Sequence, residues 1–195
     1  MVLEIIVWVD CCFIIMQLDI KEQSLILEGK KYSRKELMSL SANATGDNTS
    51  SFLLDLYRFL ADWFSDSPFM TVHTSGSTGT PKVLTVRKEQ MMQSARMTCE
   101  FLNLHTGDTA LLCMPLQYIA GKMMVVRALV AGLNLILRTP SGHPLADVTV
   151  PLRFVAMVPL QVFNTLQVLR EKERLCHTDI LIIGGGAIDL SLIHI

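Results

Sequence analysis

The stretch Thr74-Ser75-Gly76-Ser77-Thr78-Gly79-Thr80-Pro81-Lys82 is a run of small residues followed by a proline and a lysine, directly after a β-like segment. Small side chains let backbone N–H groups close around phosphate oxygens. The hydroxyls of Thr74, Ser75, Ser77, Thr78 and Thr80 add donors, and Lys82 adds a point charge. The chemistry suited to this run is the gripping of a polyphosphate; the alternative is a solvated turn, which shares the composition. A Walker loop would need Gly-x-x-x-x-Gly-Lys-Ser/Thr, and Pro81 stands where its second glycine should be, counting from Gly76. That disfavours a generic P-loop ATPase or GTPase.

A second chemical position is Arg127. On a helix after Gly121, Met123, Arg127 and Val130 lie at i, i+4 and i+7 and share one face. An arginine in an apolar stripe needs an anion, either a carboxylate of the protein or one on a ligand. Lys122 points elsewhere and reads as a solvated lysine. Gly184-Gly185-Gly186-Ala187 follows an apolar run but fails as a Rossmann fingerprint, because Asp189 takes the third glycine position. His73 lies in the strand entering the small-residue run, His105 and His143 lie in polar turns, and His177 precedes a strand. None has a partner at metal-ligand spacing, so no metal site is expected from protein side chains.

These residues need elements to hold them. Leu25 to Tyr32 reads as a short hairpin, and Ser33 with Glu36 forms a capping box that starts a helix at Arg34. Residues 41–51 read as a polar loop. Leu53, Leu56, Tyr57, Leu60, Trp63 and Phe64 mark one face of an amphipathic helix. Strands follow over 69–74, 83–86, 109–114, 133–137, 153–157 and 180–183, with helices over 88–102, 119–131 and 160–170. This alternation is the signature of an α/β fold with a largely parallel sheet.

Composition bounds the rest. Half of the 195 residues are hydrophobic, enough for one domain or part of one. Lysine plus arginine (17) balances aspartate plus glutamate (18), so no field of one sign would draw in nucleic acid or an anionic membrane. Small molecules are the expected partners, and nothing is indicated about oligomeric state. The five cysteines are scattered without a C-x-x-C pair, which reads as reduced thiols in a cytoplasmic protein. Residues 1–16 are apolar but interrupted by Glu4 and Asp10 and too short to span a bilayer. Their origin is open. The eleven methionines read as core filler.

The ordered pattern Thr-Ser-Gly-Ser-Thr-Gly-x-Pro-Lys resembles the signature of the adenylate-forming (AMP-binding) superfamily, which includes acyl-CoA synthetases, firefly luciferase and peptide-synthetase adenylation domains. The resemblance implies that the loop closes over the β- and γ-phosphates of ATP. Thr74, Ser75, Gly76, Ser77, Thr78, Gly79 and Lys82 would then bind nucleotide, with Thr78 and Lys82 also serving catalysis. Met114-Pro115-Leu116-Gln117-Tyr118-Ile119-Ala120-Gly121 looks like the family's Leu-Pro-Leu-x-His-x-x-Gly segment, with Tyr118 in place of His, and implies that Tyr118 and Gly121 border the acyl substrate. Gly185, Gly186 and Ala187 would lie beside the adenine and the acyl group. The implied fold is part of the large, layered α/β N-terminal domain of such enzymes.

Within that superfamily, the run from Pro115 to Arg127 looks most like the o-succinylbenzoate–CoA ligases of menaquinone biosynthesis, where an arginine holds the free carboxylate of the acid. The implied reaction consumes ATP, with Mg2+, to give acyl-AMP, and CoA then displaces AMP. Other acyl- or aryl-CoA ligases, a peptide-synthetase adenylation domain, or a non-catalytic nucleotide-binding piece are the alternatives. The family's later motifs do not occur in this sequence. On the resemblance, 17–190 is expected to be a partial N-terminal domain, 191–195 a non-native tail from an interrupted reading frame, and the chain by itself inactive.

Overall fold

A computed structural model describes residues 19–44, 50–73 and 82–186. Strands β1 (Ser24–Leu27) and β2 (Lys30–Ser33) pair antiparallel across Glu28 and Gly29. Both turn residues have positive φ, 48° and 82°, as a two-residue turn matched to strand twist requires. Ser33 then caps helix α1 (Arg34–Asn43) in a reciprocal box with Glu36. The helix runs through residues 41–43, and Ser51 already lies in α2 (Ser51–Trp63). The expected 41–51 loop is therefore shorter at both ends, and 45–49 lies outside the described residues.

Strand β3 (Phe69–His73) pairs antiparallel with β4 (Val83–Arg87) in a sheet of two strands. Alternation alone suggested that these strands join the parallel sheet. The connection between them is too short for a parallel crossover, which takes a dozen or more residues, so the chain folds straight back. Thr74, Ser75, Gly76, Ser77, Thr78, Gly79, Thr80 and Pro81 lie outside the described residues, as do 1–16, Ala187 and 191–195.

The main sheet is mixed but mostly parallel. Helix α3 (Lys88–Phe101) leads to β5 (Thr109–Leu112), and α4 (Ile119–Ala131) leads to β6 (Asn134–Leu137). Then come β7 (Phe154–Met157), α5 (Pro159–Gln167), α6 (Leu169–Cys176) and β8 (Ile180–Ile183). The strand order is β2-β1-β6-β5-β7-β8, and only the β1–β2 pair is antiparallel.

Alternate residues of each strand serve opposite faces. Ala110, Leu112, Leu135, Phe154 and Ala156 pack with α2, α3 and α4 in one core. Leu111, Cys113, Ile136, Val155 and Met157 pack with Leu145, Val148, Leu152 and Val162 in the other. Helix α4 is apolar nearly all round and buried accordingly. It stops at Gly132, whose φ of 70° supplies the left-handed cap.

The single helix expected over 160–170 is two helices. Val168 is extended, with φ −112° and ψ 113°, and separates α5 from α6. The break is tertiary in origin: Glu171, buried in α6, meets His143 at 3.0 Å and Thr165 at 3.5 Å, which turns α6 back onto the 138–152 segment.

Candidate functional site

In the order β6-β5-β7, the chain leaves β5 toward β6 on one side and returns to β7 on the other. Open α/β sheets bind ligands beyond the C-terminal strand ends at such a reversal. A cavity of about 260 Å³ opens there, lined by Met114 and Pro115 after β5, Met157 at the end of β7 and Val158 after it, and Gly184 and Gly185 after β8. From α4 come Ile119, Met123 and Arg127, and Tyr118 caps the opening turn. The volume is slightly below the roughly 300–1,000 Å³ usual for small-molecule pockets, and the walls are mostly apolar with few polar groups.

Arg127 is the cation of this cavity. Among the described residues its Nε is buried without a hydrogen-bond partner, and its Nη1 meets the Met124 sulfur at 3.7 Å. No carboxylate lies within ion-pair distance of it among the described residues. Burial lowers the guanidinium's pKa, and the nearby Cys99 thiol only partly opposes this. Of the two anion sources open from sequence, a protein carboxylate is not the one seen.

Gly121 sits where no side chain fits. A Cβ there would lie 2.4 Å from the Pro115 carbonyl oxygen and 2.9 Å from that of Met114. The first turn of α4 thus presses against the Met114-Pro115 segment, and Gly121 shapes the cavity without lining it. Tyr118, in contrast, lines the cavity and also forms a parallel bridge with His73 at the end of β3. Gly184 and Gly185 line the cavity and, like Gly186, are exposed, and Gly185 has φ of 83°. Lys82 is exposed just before β4.

Lys122 is not the solvated lysine expected. It is half-buried, and its ammonium donates to the Thr71 carbonyl in β3. Nothing in the sequence singles out Gln161. Its side chain is buried, donates to the carbonyls of Cys113 (3.1 Å) and Ser141 (2.9 Å), and accepts from the Val158 N–H (3.2 Å). It thereby ties the ends of β5 and β7 together behind the cavity. Gln161→Leu is expected to lower the unfolding free energy by about 2 kcal/mol, since buried carbonyls lose their donor. Urea denaturation of the two proteins measures this. The Cys113 thiol beside this hub is pushed up to about 12 by burial, which makes it inert as a nucleophile.

Residues 9–194 match the AMP-binding enzyme family. The chain belongs to that family. An acyl-CoA synthetase (AMP-forming)/AMP-acid ligase II-like protein from Dyadobacter fermentans has a similar structure, with TM-score 0.69 and 32% identity over 80% of this chain and 45% of that one. The 2-succinylbenzoate–CoA ligase of Haemophilus influenzae is 28% identical over 134 residues, which is 69% of this chain and 28% of the relative. An o-succinylbenzoate coenzyme A synthetase from Bacillus subtilis, solved with ATP and magnesium ion, shares the fold at TM-score 0.59 and 15% identity, over 91% of this chain and 55% of that one. The chain therefore spans about half the length of these solved relatives, or less. The mixed α/β architecture with its mostly parallel sheet is that of the N-terminal domain of AMP-forming acyl-CoA synthetases. Among the described residues, no helix is long and apolar enough to cross a membrane.

Proposed function

We propose that these residues form the nucleotide and acid sites of an ATP-dependent acid–CoA ligase, with o-succinylbenzoate as the acid. The observation that carries this reading is Arg127, a cation with a buried, unpartnered Nε at the wall of an apolar cavity. Such a group calls for an anionic ligand with an apolar body. An aromatic acid with a second carboxylate supplies both: one carboxylate for Arg127 and another to attack the α-phosphorus of ATP. Tyr118 and the Gly184-Gly185 turn would border its ring.

The segment Thr74–Lys82 would hold the phosphates, with Lys82 and Thr78 steadying the charge that develops there. Gly185, Gly186 and Ala187 would lie near the adenine. Such catalysis works by positioning and charge neutralisation, without a nucleophilic side chain. Magnesium would accompany the phosphates of ATP. Among the described residues no cluster of three or more His, Cys, Asp or Glu could hold a metal ion. In the second half-reaction, CoA thiolate would displace AMP to give the thioester. For a protein of the relatives' length carrying these residues, we place the reaction in menaquinone biosynthesis in the cytoplasm.

The test is pyrophosphate release from ATP in such a protein, with o-succinylbenzoate compared against benzoate and no acid. Release that o-succinylbenzoate stimulates and benzoate does not is expected. Equal stimulation by both acids would transfer the reading to a general aryl–CoA ligase. Lys82→Ala is expected to weaken ATP binding by about 1.5–3 kcal/mol, the range for a hydrogen bond to a charged group. Calorimetric titration with ATP measures the difference.

A further inference from the structure

The two halves of the proposed site meet at Lys122. Strand β3 delivers the chain into the segment assigned to ATP, and α4 carries Arg127, assigned to the acid. Among the described residues these elements are joined near the site by the His73–Tyr118 bridge and by the bond from the Lys122 ammonium to the Thr71 carbonyl. The β3–β4 pair is a separate sheet of two strands, with no ladder to the main sheet among the described residues. A two-stranded ribbon is marginal by itself and depends on such lateral ties for its placement.

Lys122 is costly where it sits. Burial disfavours its charged form, and the Asp62 carboxylate offsets this only in part. The ammonium is nevertheless directed at a backbone oxygen of the strand. Gly121, pressed onto the Pro115 carbonyl, fixes the turn from which Lys122 reaches.

We propose that Lys122 is a positioning residue that docks β3 onto the first turn of α4 and so couples nucleotide binding to acid binding. The proposal rests on the assignment of ATP to the 74–82 segment and of the acid to Arg127. Without the Lys122 bond, each ligand would still meet its own contacts, but binding of one would no longer favour binding of the other. That loss appears as a loss of coupling free energy rather than of either affinity alone.

Two measurements on the 195-residue chain test it, using Lys122→Met and the charge-retaining Lys122→Arg. Amide hydrogen exchange reads the docking directly. Exchange at Thr71, Val72 and His73 is expected to rise about tenfold or more in Lys122→Met, with β5 and β7 unchanged and with partial recovery in Lys122→Arg. A uniform rise across all strands would show a global stability effect and overturn the proposal. Calorimetry reads the coupling: ATP is titrated with and without o-succinylbenzoate. The unsubstituted chain is expected to bind ATP about five- to tenfold more tightly with the acid present, and Lys122→Met to lose that gain. Equal coupling in both proteins overturns the proposal alone. Failure to bind ATP or the acid, in this chain and in a protein of the relatives' length alike, overturns the functional reading beneath it, while the exchange data still decide whether Lys122 docks the strand.

Discussion

Arg127→Met is expected to weaken binding of o-succinylbenzoate by two orders of magnitude or more while leaving the fold as stable as before, or more stable. Removing one partner of a desolvated charge pair costs about 2–5 kcal/mol, most of it from the charge left behind. Here the charge left behind would be the ligand carboxylate, held against Met114, Met123 and Met157 with no other cation lining the cavity among the described residues. The folded protein without ligand faces the reverse situation. Among the described residues its guanidinium is already the unpaired member, with a buried Nε that lacks a hydrogen-bond partner and an Nη1 that meets the Met124 sulfur. Methionine keeps most of the stem's packing and removes that cost, so a gain on the order of 1 kcal/mol is expected, as when buried charges are replaced by apolar groups. Calorimetry with the acid and urea denaturation without it give the two signs. Arg127→Lys should recover only part of the affinity, because an ammonium cannot match a carboxylate with a two-pronged fork. A loss of stability together with unchanged acid binding would make Arg127 a structural residue and remove the basis for the substrate assignment.

Arg127 shows what a sequence can and cannot carry. Its place on an apolar stripe was legible from the spacing of Met123, Arg127 and Val130. The lack of a carboxylate partner among the described residues was not, since any distant Asp or Glu could fold against it; that depends on the packing of α3, α4 and the strand ends. Helix α4 was legible to the residue because its stop is a local matter, a glycine in the left-handed region. The break at Val168 was not, because it lacks a proline or glycine and depends on His143, a residue far away in sequence. Gln161 illustrates the same limit: its partners Cys113 and Ser141 lie 48 and 20 positions away. The cavity itself depends on strand order. Each of its segments could be read as a strand end, but their meeting at the reversal beside β5 follows from pairing between distant strands. Lys122 was misread for a related reason. Its partner is a carbonyl of β3, and backbone acceptors carry no residue-type signature.

Gly121→Ala is expected to be the most damaging glycine-to-alanine substitution among the described residues. Alanine suits a helix better than glycine by about 1 kcal/mol, so helix propensity alone would predict a gain. Packing reverses the sign. The added methyl would stand 2.4 Å from the Pro115 carbonyl oxygen and 2.9 Å from that of Met114, far inside van der Waals contact. Both obstacles are backbone, so no side-chain rotation relieves them, and either α4 or the Met114-Pro115 segment must move. Neither moves freely: α4 is buried on nearly all sides, and Met114 and Leu116 belong to its core. Overpacking a close-packed interior costs about 1–3 kcal/mol, and a clash between two backbone segments lies at or above the top of that range. A net destabilisation of about 3 kcal/mol is therefore expected, with a matching fall in the denaturation midpoint. The displacement also has a direction. Pushing α4 from Pro115 carries Tyr118, Lys122 and Arg127 with it, so any folded Gly121→Ala protein should bind the acid weakly. Because Lys122 would be drawn from Thr71, exchange should also rise in β3. Gly121→Ser, of similar size, should behave alike, whereas Gly29→Ala, with nothing near its added methyl, should cost only the strain of its positive φ. Retention of full stability by Gly121→Ala would show that the contact between α4 and the Met114-Pro115 segment is looser than these distances require.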